Sequence, residues 1–237
     1  MPSMSTHFPD FFQLQPTPAS LQPAATCLVR ARFDHTRLAA DDFRYCSVEP
    51  IRGVAKRQGE YLAGRLCARE ALHRLCGQPM VPGRDEDGVP IWPEAVVGSI
   101  THGAGEALAI VGSRCQWSGL GLDVEKRLGA ERAAKLAGEI LTPRELERAT
   151  GLAPAPFARL VTLTFSLKES LFKALYPLLL TRFYFHDAEL LTWSEDGQAE
   201  LRLLINLSPE WGTGARLSGQ YTEFDDYLLS LVAIPSG

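Results

Sequence analysis

The chain has 237 residues, enough for one large domain or two small ones around a buried core. Hydrophobic residues make up 46% and charged residues 22%, the balance of an ordinary soluble globular protein. The net charge of −4 supplies no global basic field for nucleic acid or a membrane surface, and no stretch approaches the length of a membrane span. The five cysteines (Cys27, Cys46, Cys67, Cys76 and Cys115) are odd in number and form no C-x-x-C pair, which argues against a disulfide framework and a zinc knuckle. Reduced thiols and a cytoplasmic location are the expectation.

The first 25 residues hold five prolines and no Lys or Arg, so they are neither a signal nor a transit peptide and read as an irregular arm. Residues 27–33 alternate as a strand does. Over 52–76, Val54, Tyr61, Leu62, Leu66, Leu72 and Leu75 recur at helical spacing, with Gly77 as a stop. A turn-rich stretch, Gly83 to Pro90, follows. Strands at 97–101 and 106–111 flank His102-Gly103, which reads as a tight loop. Residues 118–125 alternate again, with Leu120, Leu122 and Val124 on one face and Gly121, Asp123 and Glu125 on the other. Short helices are predicted near 130–139 and 143–149, a loop over 151–156, and a helix over 166–176 closed by Pro177. Three alternating segments after residue 182 predict three strands. This order predicts an α+β chain of two similar α/β halves: an arm over 1–25, a first half over 26–115 and a second over 116–237.

Asp123 and Glu125 project two carboxylates from one strand face. Like charges that close repel, and a hard cation such as Mg²⁺, with phosphates completing its shell, would relieve them; two solvated acids on an exposed strand are the simpler reading. In Ser166-Leu-Lys-Glu-Ser-Leu-Phe-Lys173, Glu169 and Lys173 share a helix face, and the same residues also satisfy a capping box and an i,i+4 ion pair. Arg52, Lys56, Arg57, Arg65, Arg69 and Arg74 concentrate positive charge on or near the long helix, as phosphate recognition requires and as a solvated helix face also shows.

Together these segments resemble the Sfp-type phosphopantetheinyl transferases. Gly121-Leu-Asp123-Val-Glu125 is similar to their first signature and Phe165-Ser-Leu-Lys168-Glu169-Ser-Leu-Phe-Lys173 to their second, with 41 residues between Asp123 and Phe165. Ser99-Ile-Thr-His102 resembles the loop ahead of the first signature. Gly64-Arg65-Leu-Cys-Ala-Arg-Glu70 resembles a helix motif of the EntD-like branch, and Gly88-Val-Pro-Ile-Trp-Pro93 a turn and short strand of the family. Leu122, Thr101 and Phe165 depart from the commoner Ile or Val, Ser, and Trp.

The resemblance implies two α/β halves with coenzyme A in the cleft between them. It implies transfer of the 4′-phosphopantetheine arm of coenzyme A to a serine of an apo acyl or peptidyl carrier protein, with release of 3′,5′-ADP, and so a place in siderophore, fatty-acid or related synthesis. Mg²⁺ would be held by Asp123, Glu125 and Glu169. Arg65, with Lys56 or Arg57, would meet the 3′-phosphate, His102 would donate to a phosphate oxygen, and Lys173 would steady the leaving group. Glu145 aligns with a glutamate proposed as the base, with Lys173 or a metal-bound water as alternatives; Thr142-Pro-Arg-Glu145 is equally a capping box. A monomer is the expected state, with no nucleic-acid or membrane partner. The competing readings are another Mg²⁺-dependent phosphoryl transferase or nuclease, and a non-catalytic coenzyme A- or carrier-binding module. The first lacks a Walker-type loop and a basic charge, and the intact acid set argues against the second.

Overall fold

The structure is a computed structural model and describes residues 8–237. The first half runs β1 (Phe12–Gln15), β2 (Thr26–Phe33), α1 (Asp42–Tyr45), α2 (Ala55–Cys76), β3 (Gly83–Arg84), β4 (Pro90–Ile91), β5 (Val96–Gly103) and β6 (Glu106–Ser113). Its antiparallel sheet has the order β1-β2-β6-β5. The apolar stripe of α2, including Leu62, Ala63, Leu66 and Cys67, is buried against Val29, Ala31 and Ala107 on this sheet. Gly77, at φ 72, ends α2 in the left-handed conformation that only a residue without Cβ adopts cheaply.

The second half runs β7 (Trp117–Lys126), α3 (Ala130–Ile140), α4 (Pro143–Arg148), α5 (Pro154–Leu179), β8 (Ala188–Trp193), β9 (Gln198–Leu203), β10 (Arg216–Phe224) and β11 (Tyr227–Pro235). Its antiparallel sheet has the order β7-β11-β10-β9-β8. Leu163, Leu167, Leu171 and Leu175 of α5 pack on it. Each half is therefore one long helix laid on an antiparallel sheet, and the fold is the α+β pair of similar halves the sequence predicts.

The halves meet where β5 runs beside β7. Leu28, Val97, Leu108 and Ile110 of the first half share a core with Leu120, Leu122, Leu229 and Leu231 of the second. No ladder joins the two strands. Instead the backbone N–H of Leu122 donates to Ser99 Oγ at 3.0 Å and that of Val124 to Thr101 Oγ1 at 3.1 Å. Side-chain hydroxyls thus satisfy buried amides that β7, paired only with β11, would leave orphaned.

Several local expectations are corrected. The arm is not wholly irregular: Phe11 and Phe12 are buried, and burying them draws 12–15 into the sheet as β1; residues 1–7 of that expectation lie outside the described residues. His102 and Gly103 are on β5, and the turn falls two residues later, at Ala104 and Gly105, both with positive φ. The helix expected over 166–176 extends from 154 to 179. Pro154 sits in the first turn, where no N–H is needed, and Pro177 falls in the last turn, where one bond is lost without ending the helix. Ser166 is consequently mid-helix and fully buried, not a cap. Two of the three late strands are shorter than their sequence segments, and β10 adds a fourth that the sequence pattern conceals.

Candidate active site

Gly121 explains how the two acidic segments come together. A Cβ at this position would lie 1.8 Å from the carbonyl oxygen of Ser170 and 2.6 Å from the amide of Ala174. The missing side chain lets the backbone of α5 rest directly on β7. Asp123 and Glu125 share that face of β7, and Glu169 and Lys173 come from the turns of α5 on either side of Ser170. Lys173 Nζ donates to Asp123 Oδ1 at 2.6 Å and to the Leu122 carbonyl at 3.2 Å. Thr101 Oγ1 reaches Asp123 Oδ1 at 3.3 Å, so the first half also touches the acid. Beneath Asp123, the buried hydroxyls of Ser166, Ser170 and Ser230 form a chain with 2.8 Å links that fastens α5 to β11.

The acids are electrostatically uneasy. Burial, and then the neighbouring Asp123, push the Glu125 carboxyl up to about 7. Burial also raises Glu169, with Asp123 adding to the effect and Lys173 opposing it. Asp123 Oδ2 is buried with no partner. Among the described residues, no three His, Cys, Asp or Glu side chains close around a common point, so the expected Asp123, Glu125 and Glu169 set is not drawn into a cage. The donor set nonetheless fits a hard cation. It offers only carboxylate oxygens, one of them orphaned, and two of the acids are strained toward protonation.

Beside these acids a cavity of about 410 Å³ opens between the halves. Arg57, Tyr61, Arg65 and His102 line it from the first half, and Phe172, Lys173 and Tyr176 from the second. Arg65 is 4% exposed, yet its Nε and Nη1 have no hydrogen-bond partner. Its guanidinium rests over the Tyr61 ring, 5.0 Å from the centroid. A buried cation with unused donors is costly unless an anion joins it. His102 is exposed by surface area but lies deep enough in the cleft for desolvation to hold its pKa below the usual value, which favours a neutral ring with one N–H to give. A close approach also brings α2 to β5: a Cβ on Gly64 would meet Ile100 Cγ2 at 2.7 Å.

Not every candidate from the sequence reaches this cleft. Lys56 is solvent-exposed and faces Glu60 at 3.9 Å, outside the cavity that Arg57 lines. Glu145 is 3% exposed and accepts three hydrogen bonds: from Lys168 Nζ at 2.7 Å, the Thr142 amide at 2.7 Å and the Leu190 amide at 2.6 Å. The capping box at Thr142 is present, and it adds a buried ion pair to Lys168, whose own pKa desolvation lowers. Glu145 thus ties α4, α5 and β8 together with three of its acceptor positions taken, and it does not line the cavity. Arg84 and Arg182 line the cavity and carry no sequence signal; each lies in an irregular or very short element where periodicity says nothing.

Two α/β halves clasping a cationic cavity, with an acid cluster at its edge, define a class of enzyme that handles an anionic ligand. The 4′-phosphopantetheinyl transferase N-terminal domain model matches residues 51–112, and the 4′-phosphopantetheinyl transferase superfamily model matches 119–232. The chain belongs to the 4′-phosphopantetheinyl transferase superfamily. Among its relatives, 4′-phosphopantetheinyl transferase Svp of Streptomyces mobaraensis is 41% identical over 171 residues, 71% of this chain and 67% of that one. Enterobactin synthase component D of Escherichia coli O157:H7 is 39% identical over 140 residues, 59% of this chain and 64% of its own length. 4′-phosphopantetheinyl transferase Npt of Nocardia iowensis is 33% identical over 149 residues, 63% and 65%. The matched region thus spans about two thirds of each relative.

Proposed function

We propose that this chain transfers the 4′-phosphopantetheinyl group of coenzyme A to a serine hydroxyl of an apo acyl or peptidyl carrier protein, releasing 3′,5′-ADP. The observation that carries the reading is Arg65, a buried guanidinium with unpaired donors in a cavity whose far wall ends at Lys173, itself bonded to Asp123. A ligand with phosphates at two separated points fits a cavity cationic at both ends. In this reading Arg65, with Arg57 beside it, takes the 3′-phosphate, and neutral His102 donates one hydrogen bond to a pyrophosphate oxygen. Lys173 shifts part of its bonding from Asp123 to the leaving phosphate.

Asp123, Glu125 and Glu169 would hold Mg²⁺, which when bound supplies the positive charge that neutralises the pyrophosphate. The serine proton needs an acceptor, and Glu145, paired with Lys168 and outside the cavity lining, is less well placed for that role than a carboxylate at the cleft. Glu169 also lines a smaller apolar cavity with Phe172, Phe183 and Phe185, and is the carboxylate a serine arriving there would meet. No helix among the described residues is long and apolar enough to cross a membrane.

The test is to incubate the protein with coenzyme A, Mg²⁺ and an apo carrier protein and weigh the carrier by mass spectrometry. The carrier should gain the phosphopantetheinyl mass, and EDTA should abolish the gain. An unmodified carrier across acyl and peptidyl types would overturn the reading.

A further inference from the structure

Strands β3 and β4 form a hairpin with only two paired positions, Gly83 with Ile91 and Arg84 with Pro90, and no third strand beside them among the described residues. Such a unit is marginal by itself. Its tip is nevertheless internally fixed. The Asp85 amide donates to the Val89 carbonyl at 3.0 Å, the Val89 amide donates to Asp85 Oδ1 at 2.8 Å, and Gly88 turns the chain at φ +86. The stiff tip presents Asp87, and Arg84, Asp87, Gly88, Val89 and Pro90 roof the cavity between the halves.

Across the cavity mouth, Arg182 Nη2 donates to Asp87 Oδ1 at 2.8 Å. This joins the hairpin of the first half to the segment after α5 in the second. Arg182 is held from behind: its guanidinium lies 5.4 Å from the Tyr176 ring centroid, and Tyr176 stacks on Phe172 at 5.0 Å. Among the described residues lining the cavity, Asp87 is also the one carboxylate, against Arg57, Arg65, Arg84, Lys173 and Arg182. An acid there opposes an anionic ligand unless its charge is engaged, and Arg182 engages it.

We propose that the Asp87–Arg182 pair latches the 83–91 hairpin as a flap over the bound ligand. Asp87 and Arg182 are then positioning residues for coenzyme A, acting by keeping the cavity closed. The inference rests on the cavity being the coenzyme A site. The latch and a purely electrostatic role for Asp87 predict opposite signs. Removing a latch speeds ligand release, whereas removing a negative charge from the wall of an anion site slows it.

The experiment measures coenzyme A dissociation by a biosensor on the full chain, and amide hydrogen exchange of residues 83–91 in the ligand-free protein. Asp87→Asn should release coenzyme A about two- to five-fold faster, the range of an exposed ion pair. It should also raise exchange across the hairpin without ligand. Arg182→Lys should recover much of the Arg182→Gln loss, and Asp87→Asn with Arg182→Gln should be no faster than either alone. Slower release from Asp87→Asn, or unchanged hairpin exchange, overturns the latch. Wild-type protein that binds no coenzyme A overturns the reading of the cavity, and the exchange measurement still decides the latch.

Discussion

Glu125 shows what one residue's surroundings imply for the whole chain. Its carboxyl is raised from 4.5 to about 7, by burial first and Asp123 second. Between those values the folded chain binds more protons than the unfolded chain, so stability falls as pH rises. The penalty is absent below 4.5 and complete above about 7. Melting curves in EDTA should therefore show the protein gaining stability as pH drops through that window, and Mg²⁺ should flatten the slope by stabilising the ionised carboxylates. Identical slopes with and without Mg²⁺ would remove Glu125 from the ion's shell. Single residues are unevenly legible in the sequence. Asp123, Glu169 and Lys173 can be singled out because signature spacing places them on faces that meet. The difference between Arg57, which lines the cavity, and Lys56, which does not, depends on a rotation of about 100° around α2 that the charge pattern does not encode. Glu145 is ambiguous in the sequence because a buried anchor and a base are the same letter, and the sequence does not show its partners.

At the scale of elements, the contact of α5 on β7 positions the chemistry. Gly121→Ala would put a methyl group 1.8 Å from the Ser170 carbonyl, so helix and strand must separate. Calorimetry should show a loss of about 1–3 kcal/mol or more, with transfer activity falling further than stability because Glu169 and Lys173 move with the helix. Gly138, within α3, has open space where a methyl group would sit, with nothing within 4 Å, and Gly138→Ala should instead stabilise by about 0.5–1 kcal/mol. Equal effects at the two glycines would mean that the close approach is not what Gly121 is for. Most strands are legible from alternation, but β10 is not. Gly219 stands where an apolar residue would mark its inner face, because Leu167 of α5 comes to within 2.9 Å of where a Cβ would be. The same kind of close contact that makes α5 important erases the pattern that would reveal its neighbour. The length of α5 is hidden for another reason: prolines that signal loops in mid-chain are harmless in a helix's first and last turns.

Across the whole molecule, the hairpin between β10 and β11 reaches back to the first half. Glu106 is 1% exposed and accepts from Arg30 Nε at 2.8 Å, Arg30 Nη2 at 2.9 Å and Arg32 Nε at 2.8 Å. Arg32 continues to Asp225 at 2.6 Å, and the Tyr227 hydroxyl donates to the Ala104 carbonyl at 2.7 Å, beside the strand end that carries His102. Glu106→Gln leaves the buried Arg30 guanidinium with only the exposed Asp225, 3.6 Å away, as counter-charge and should lower the denaturation free energy by about 3 kcal/mol. Asp225→Asn, at an exposed pair, should cost less than about 1 kcal/mol. A reversed order would mean that the exposed Arg32–Asp225 pair between the halves, not the buried cluster within the first half, carries the stability. The hydroxyls of Ser99 and Thr101 bear on a different question, namely what becomes of the second half if it is severed from the first. Cut free, β7 would become a bare sheet margin with the amides of Leu122 and Val124 open to any passing strand, and the liberated fragment would be prone to associate with copies of itself along that margin.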